Sequence, residues 1–200
     1  MRFSVAYPNG KRSAARPFKT SPMYDLFSGM NAVWGRQYGL EVVNYFTLPG
    51  KRTCEIPTFK RSNAWDATNA EVAIVRTAVG IGELSNFGKC RVTGPRAREW
   101  FDRIMAGTIP QPSRLALSPM LARLGRITGD FTVSCLSGTE FMLTASYGAQ
   151  GWHLRRFDAH WDDGVRVENV SDARSGFQIA GPTPQSCWNE PLAATWRRSA

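Results

Sequence analysis

Residues 130–146, DFTVSCLSGTEFMLTAS, alternate apolar and polar side chains on both sides of a short turn. Strict alternation over several residues is typical of a strand with one buried face. Ser137 to Glu140 supply the small and polar residues that favour a turn. The stretch therefore predicts a β-hairpin. Its inward-facing residues are Phe131, Val133 and Cys135 in the first arm and Phe141, Leu143 and Ala145 in the second.

Further short strands are predicted on both sides of this hairpin. They are IGELS (81–85), GKCRVTG (88–94), RLALSPML (114–121), VRVENV (165–170) and GFQIAGP (176–182). Helical segments are interspersed among them without the regular strand–helix alternation of a doubly wound parallel sheet. The order of elements predicts an α+β fold.

Three helices are predicted from apolar spacing and end signals. The first, DATNAEVAIVRTAVG (66–80), has Thr68 or Asn69 as its N-cap and a stripe of Val72, Val75 and Val79. The second is GPRAREWFDRIMAG (94–107) and the third is GAQGWHLRRFDAHW (148–161), in which Trp152 and Phe157 form the apolar face. The inner face of the second helix is predicted to be Ala97, Trp100, Phe101 and Ile104.

Residues 1–64 lack a regular periodicity and are predicted to be irregular apart from a short helical stretch. Within them, GMNAVWGRQYGLEVVNYF (29–46) places four aromatic residues among glycines. Such a segment cannot bury its own rings alone. We interpret it as either the end of a larger domain or an arm that docks on a neighbouring domain.

The charge of the chain favours an anionic partner. Twenty-five Lys and Arg residues against sixteen Asp and Glu residues give a net charge of +9. The basic residues are dispersed and accompany no nucleic-acid-binding motif, so no nucleic-acid partner is predicted, although a basic nucleic-acid binder remains a third alternative. No apolar run approaches the length of a membrane span, and the chain is therefore predicted to be soluble, with no membrane partner.

The cysteines and histidines predict neither a metal site nor a disulfide framework. Four cysteines, at 54, 90, 135 and 187, have no metal-ligand or redox spacing, and the chain has only two histidines. Free thiols in a reducing compartment are the preferred interpretation. The predicted location is the cytoplasm, or the mitochondrial matrix in a eukaryote.

Asp130 stands between a basic, glycine-containing turn and the first arm of the hairpin. From spacing alone, an Asx-type turn or strand-start role is the preferred interpretation, with a functional carboxylate as the alternative. Arg123 and Arg126 lie just upstream, either to neutralise the carboxylate or, as is more common for turn arginines, simply solvated.

Several stretches resemble the folate-binding aminomethyltransferase family, which includes the glycine cleavage T-protein. They are EVAIVRTAVGIGELSNFGKCRVTGPRAREWFDRIMAG (71–107), LSPMLARLGRITGDFTVSCLSGTEFMLTAS (117–146) and FQIAGPTPQS (177–186). The preceding stretches ARPFKTSPMYDLFSGMNAVWGRQYGLEVVNYF (15–46) and FKRSNAWD (59–66) are similar to the junction in dimethylglycine and sarcosine dehydrogenases. There a flavin oxidoreductase domain precedes the folate domain.

This resemblance implies a site and a cofactor. The fold implied is the N-terminal portion of the T-protein fold, and the cofactor is tetrahydrofolate. Asp130 is then the catalytic acid that positions the folate and handles a proton, which reverses the preference for a turn role. Residues implied to bind the cofactor are Asp130, Leu117, Thr144, Ala145 and Ser146.

The resemblance also implies how the chain is organised and what it does. Residues 1–64 are predicted to be the tail of a flavin oxidoreductase-like domain or a docking arm, 65–186 an incomplete folate-binding domain, and 187–200 a divergent tail. The implied activity is acceptance of a formaldehyde-level carbon to give 5,10-methylene-tetrahydrofolate. FAD would belong to the parent enzyme and not to this fragment, and a flavin oxidoreductase domain or subunit is the implied partner. The alternative is a non-catalytic folate-fold subunit that serves as an interaction or scaffold module.

Overall fold

A computed structural model of the chain describes Ala14 and residues 16–184. The helices are α1 (Tyr24–Gly29), α2 (Trp65–Thr77), α3 (Ala97–Ile104) and α4 (Gln150–Asp158). The strands are β1 (Ala32–Gln37), β2 (Leu40–Phe46), β3 (Gly80–Glu83), β4 (Phe87–Thr93), β5 (Arg114–Leu121), β6 (Ile127–Ser137), β7 (Glu140–Ser146), β8 (Arg166–Asn169) and β9 (Phe177–Ala180). Two compact units divide at Leu84/Ser85 and at Ser175/Gly176. The mixed helix and sheet content confirms the predicted α+β class. The predicted tail, 187–200, lies outside the described residues, and the boundary predicted after residue 64 stays a prediction.

The first unit contains two small antiparallel sheets, β1–β2 and β3–β9. Glu41 in β2 is buried and pairs with the guanidinium of Arg16, which also donates to the Gly35 carbonyl oxygen at 3.3 Å. A buried carboxylate needs such a partner because its desolvation is costly. The pair therefore fixes the segment before α1 to the hairpin.

The prediction that residues 1–64 are irregular was wrong for the β1–β2 hairpin. Strands Ala32–Gln37 and Leu40–Phe46 are joined by a two-residue turn of Tyr38 and Gly39. Both turn residues have positive φ, 51° and 90°, as a type I′ turn requires. Glycine in this pair adopts that conformation without steric cost, and the flanking strands then pair in register.

The start of α2 also differs from the prediction. The first helical hydrogen bond runs from the Thr68 amide to the Ala64 carbonyl oxygen, at 2.9 Å, so the helix begins at Trp65 and neither Thr68 nor Asn69 caps it. The predicted apolar stripe is not buried, since α2 has no buried residue and Val79 lies beyond its end. The apolar residues of this segment are thus spaced as in a helix, but α2 buries none of its residues.

The second unit is a five-stranded antiparallel sheet with the order β5–β6–β7–β4–β8. The predicted hairpin forms its centre, and its six inward-facing residues are all buried, which confirms that prediction. Helices α3 and α4 cover this face, as the ring contacts Phe101–Phe141 (4.9 Å) and Phe131–Phe157 (5.7 Å) show. One face of the sheet is thus the core face, and we call the opposite one the open face.

The predicted buried residues were confirmed for α3 and only in part for α4. In α3 the buried residues are the four predicted, at the i, i+3, i+4 and i+7 positions of a single stripe. In α4, Phe157 is buried as predicted but Trp152 is 46 % exposed, with the Arg155 guanidinium 5.9 Å from its ring. Because α4 begins at Gln150, the i+3 position His153 faces the sheet, and Trp152 is turned away from it.

In the part of the chain that the structure describes, no helix is long and apolar enough to cross a membrane. Three of the four cysteines are described and all are free thiols, with Cys54 exposed and Cys90 and Cys135 buried. Burial raises the pKa of the Cys90 thiol to about 11. The fourth, Cys187, falls outside the described residues.

Candidate functional site

Asp130 lies inside strand β6 and not at its start. The preceding turn is closed by a hydrogen bond from the Ala122 amide to the Arg126 carbonyl oxygen at 2.8 Å, and the strand begins at Ile127. Asp130 is paired with Pro119 of β5 within the ladder. The interpretation of Asp130 as a turn or strand-start residue was therefore wrong, because the strand extends further toward the turn than its apolar alternation indicates.

The side chain of Asp130 projects from the open face. Its neighbours Gly129 and Phe131 are buried on the core face, and alternation along β6 places Asp130 on the other side, where it is exposed. Two residues further along, Thr132 has the same orientation and is partly buried. The carboxylate and this hydroxyl therefore point to the same side of one strand.

The register of the sheet places other predicted residues beside them. Thr132 pairs with Leu117 of β5 on one side and with Thr144 of β7 on the other, and Thr144 pairs with Lys89 of β4. Directly paired residues have side chains on the same face. Leu117, Thr132, Thr144 and Lys89 thus form a continuous row across four strands on the open face.

A second row runs alongside the first. It contains Pro119 paired with Asp130, and Ser146 of β7 paired with Phe87 of β4. Ser146 lies two residues beyond Thr144 and therefore shares its face, and Ser146 is exposed. The structure brings Asp130, Leu117, Thr144 and Ser146 together on one surface.

Ala145 differs from the other predicted site residues. Its side chain belongs to the core cluster on the opposite face, as its position between Thr144 and Ser146 requires. Only the backbone of Ala145 lies next to the residues of the two rows. A contribution of Ala145 to binding is therefore restricted to its peptide groups.

Two members of the first row, Thr132 and Lys89, were not predicted as site residues. Lys89 is 7 % exposed, and its ammonium group donates to the carbonyl oxygens of Ser85 at 3.2 Å and Phe87 at 3.0 Å. These bonds fix the start of β4 and place a positive charge at the end of the row. Counting in steps of two from Asp130 identifies Thr132 in the sequence, but Lys89 requires the pairing of β4 with β7.

Three polar side chains of the rows have no partner within the described chain. Asp130, Thr132 and Thr144 form no side-chain hydrogen bond or ion pair with any described residue. Arg123 and Arg126 are exposed and neither pairs with Asp130, which agrees with the solvated alternative for these arginines. The carboxylate and hydroxyls are therefore available to a ligand.

On the core side of β6, opposite Asp130, one histidine of a covering helix packs against the apolar side chains of the strand. His153 of α4 is buried against Phe131, with ring centroids 4.6 Å apart. Burial lowers the pKa of His153, because the imidazolium would lose its hydration there. Among the described residues, no three metal-ligating side chains converge on a common point.

The sequence matches a known protein family and several known proteins over most of its length. Residues 23–192 match the family described as the GCVT N-terminal domain. The mouse mitochondrial dimethylglycine dehydrogenase is 31% identical over 184 residues, which are 89% of this chain and 21% of that protein. The mouse mitochondrial pyruvate dehydrogenase phosphatase regulatory subunit is 23% identical over 188 residues, 90% of this chain and 21% of its own length.

A solved structure shares the fold. The glycine cleavage system aminomethyltransferase T from Bartonella henselae superposes with a TM-score of 0.67 and 19% identity, covering 84% of this chain and 42% of that one. This likeness confirms the predicted aminomethyltransferase fold. The chain spans about a fifth of the length of the curated relatives above. Because the family match extends over most of the sequence, the chain belongs to the GCVT N-terminal domain family.

Proposed function

We propose that the chain is a tetrahydrofolate-binding domain of a one-carbon transfer enzyme, with its site on the open face of the five-stranded sheet. The observation that carries the proposal is the pair of rows in which Leu117, Asp130, Thr144 and Ser146 share one surface. These four residues come from three different strands, β5, β6 and β7. Their proximity is a property of the sheet register and not of the sequence order.

The chemistry of this surface fits a reduced folate. A carboxylate accepts hydrogen bonds, and the hydroxyls of Thr132, Thr144 and Ser146 both donate and accept them. Leu117, 72 % exposed, and Phe87 give the rows apolar borders on which a ring can rest. A flat heterocycle with N–H donors and ring nitrogens would satisfy both kinds of surface.

Bound tetrahydrofolate would supply the nitrogen atoms that accept a formaldehyde-level carbon, giving 5,10-methylene-tetrahydrofolate. The Asp130 carboxylate forms no hydrogen bond or ion pair with a described side chain. It would accept a hydrogen bond or a proton from the ligand and stabilise positive charge near it. The hydroxyls would orient the ligand, and the Lys89 ammonium would add positive charge at the end of the row.

The carbon would come from oxidation of an N-methyl amine by a flavin oxidoreductase domain or subunit, which would hold the FAD. Similarity to a dimethylglycine dehydrogenase supports this partner, and the +9 charge of the chain suits an anionic folate. The mitochondrial relatives support the mitochondrial matrix as the location if the source is eukaryotic.

Calorimetric titration of the purified chain with tetrahydrofolate tests this proposal. We expect saturable micromolar binding, and at least roughly tenfold weaker binding for Asp130→Asn, because a charge-assisted hydrogen bond contributes about 1.5–3 kcal/mol. Asp102→Asn is the matched control, since Asp102 is exposed on α3, on the helix side of the sheet. It makes the same change of net charge and should leave the affinity unchanged.

A second candidate function is a non-catalytic subunit with the same fold. It is favoured by the similarity to a regulatory subunit, which covers as much of this chain as the dehydrogenase does. In that case a folded wild-type chain would show no saturable binding of tetrahydrofolate. It would instead bind a flavin oxidoreductase or another protein, and Asp130→Asn would have no effect on that binding.

A further inference from the structure

We infer that Thr128 is a positioning residue for the candidate site. Its hydroxyl holds a β-bulge in β6, and this bulge turns the Asp130 carboxylate onto the open face. The inference rests on the proposed function. It assigns a role to a residue that acts through Asp130 and does not itself contact the ligand.

The β-bulge lies close to the β5–β6 turn. Next to the turn, Leu121 pairs with Ile127. Met120, the preceding residue of β5, pairs with Gly129 and skips Thr128. Thr128 is therefore an extra residue in β6 with no partner of its own in β5. An extra residue of this kind shifts the pairing of every later residue of the strand by one position.

This shift decides the face on which Asp130 lies. If the pairing beside the turn continued without the bulge, Asp130 would lie opposite Ser118. Ser118 is 0 % exposed, so a carboxylate at the opposite position would lose its hydration, which is costly. With the bulge, Asp130 pairs instead with Pro119 and is exposed on the open face.

The side chain of Thr128 fixes the bulge to the neighbouring strand. Its hydroxyl donates a hydrogen bond of 3.0 Å to the carbonyl oxygen of Met120, the β5 residue at the bulge. Backbone support for Asp130 itself is small, because Pro119 has no N–H group to donate. The Pro119 carbonyl oxygen already accepts the Ala106 amide at 2.8 Å. The bond between Thr128 and Met120 is therefore an anchor beside a weakly bonded pair.

Two substitutions at Thr128 separate the hydroxyl from the shape of the side chain. Thr128→Val removes the hydroxyl and keeps a β-branched side chain that suits a strand, whereas Thr128→Ser keeps the hydroxyl. Thr77→Val is the matched control, because the Thr77 hydroxyl also donates to a backbone carbonyl oxygen, that of Ala73 at 2.8 Å, but in α2 of the first unit. Thermal melting verifies that each variant is folded.

Titration with tetrahydrofolate is the readout. We expect Thr128→Val to bind roughly 3- to 10-fold more weakly, the range for one net hydrogen bond. Thr128→Ser and Thr77→Val should bind within about twofold of the wild type. Thr128→Val is also made in the Asp130→Asn protein, where it should weaken binding by less than about twofold, because the carboxylate that Thr128 positions is absent. A general loss of stability would not depend on Asp130 in this way.

Three results would overturn the inference while the proposed function stands. They are equal binding by the wild type and Thr128→Val, equal weakening by Thr128→Ser and Thr128→Val, and an undiminished effect of Thr128→Val in the Asp130→Asn protein. If the folded wild type does not bind tetrahydrofolate, the proposed function and the inference both fail.

Discussion

Gly129→Ala is expected to destabilise the second unit through a steric conflict directly beside the candidate site. An ideal Cβ at Gly129 would lie 2.5 Å and 2.7 Å from Cε2 and Cζ of Phe131, and 3.0 Å from Nε2 of His153. Carbon atoms in proteins normally approach to about 3.5–4.0 Å. The Phe131 ring would have to move by about 1 Å.

That movement is opposed on several sides. Phe131 is 2 % exposed and packs against the rings of His153 and Phe157. Insertion of a methyl group into such a site costs about 1–3 kcal/mol. We expect a loss of this size in the free energy of unfolding, measured by urea denaturation with near-ultraviolet circular dichroism as the signal.

Two further variants test the cause. Gly138→Ala, at the hairpin turn, would meet no atom within 4 Å and should change the stability by less than about 0.5 kcal/mol. Combining Gly129→Ala with Phe131→Leu removes the conflicting ring atoms, so the combined loss should be smaller than the sum by at least about 0.5 kcal/mol. Equal effects of Gly129→Ala and Gly138→Ala, or strict additivity of the pair, would refute the reasoning.

The pH dependence of stability and thiol reactivity supply two more predictions. Because burial lowers the pKa of His153, the unfolded state binds the proton more readily than the folded state. The free energy of unfolding should therefore fall as the pH decreases through the ordinary histidine pKa near 6.5, by no more than about 1.4 kcal/mol per unit. Urea denaturation at pH 7.5 and 5.5 should show a smaller loss for His153→Gln than for the wild type, and equal losses in the two proteins would contradict this. With a thiol reagent at neutral pH, exposed Cys54 should react in the folded protein, whereas the buried thiols of Cys90 and Cys135 should react only on unfolding. Peptide mass spectrometry reads which cysteine is labelled. Rapid labelling of Cys90 in the folded protein would contradict its burial.

Elements whose own side chains alternate as in a strand, or repeat as in a helix, were predictable from the sequence. The hairpin of Phe131 to Ala145 alternates strictly, and the apolar residues of α3 fall on one stripe, so burial followed from the local pattern. For α4 the same kind of pattern failed, because the burial of His153 in place of Trp152 depends on where the helix begins after β7. The β1–β2 hairpin was missed although its Tyr38–Gly39 turn carries a recognisable signal.

The candidate site was only partly predictable for a related reason. Asp130 was identified by resemblance, and alternation alone extends the prediction to Thr132. That Leu117, Thr132 and Thr144 form one row depends on cross-strand register, which is shifted near the β5–β6 turn between Met120 and Leu121. A shift of one residue reverses the face of every side chain in a strand, and the turn sequence does not reveal it.

The location of the folate site is the central claim, and amide chemical shifts test it most directly. The isotope-labelled chain would be titrated with tetrahydrofolate while two-dimensional NMR spectra are recorded. We predict concentration-dependent shifts at Leu117, Asp130 and Thr144, with little change at Trp100 and Phe157 on the helix side of the sheet. Saturable shifts confined to the α3 and α4 side, with the open-face strands unchanged, would contradict the account.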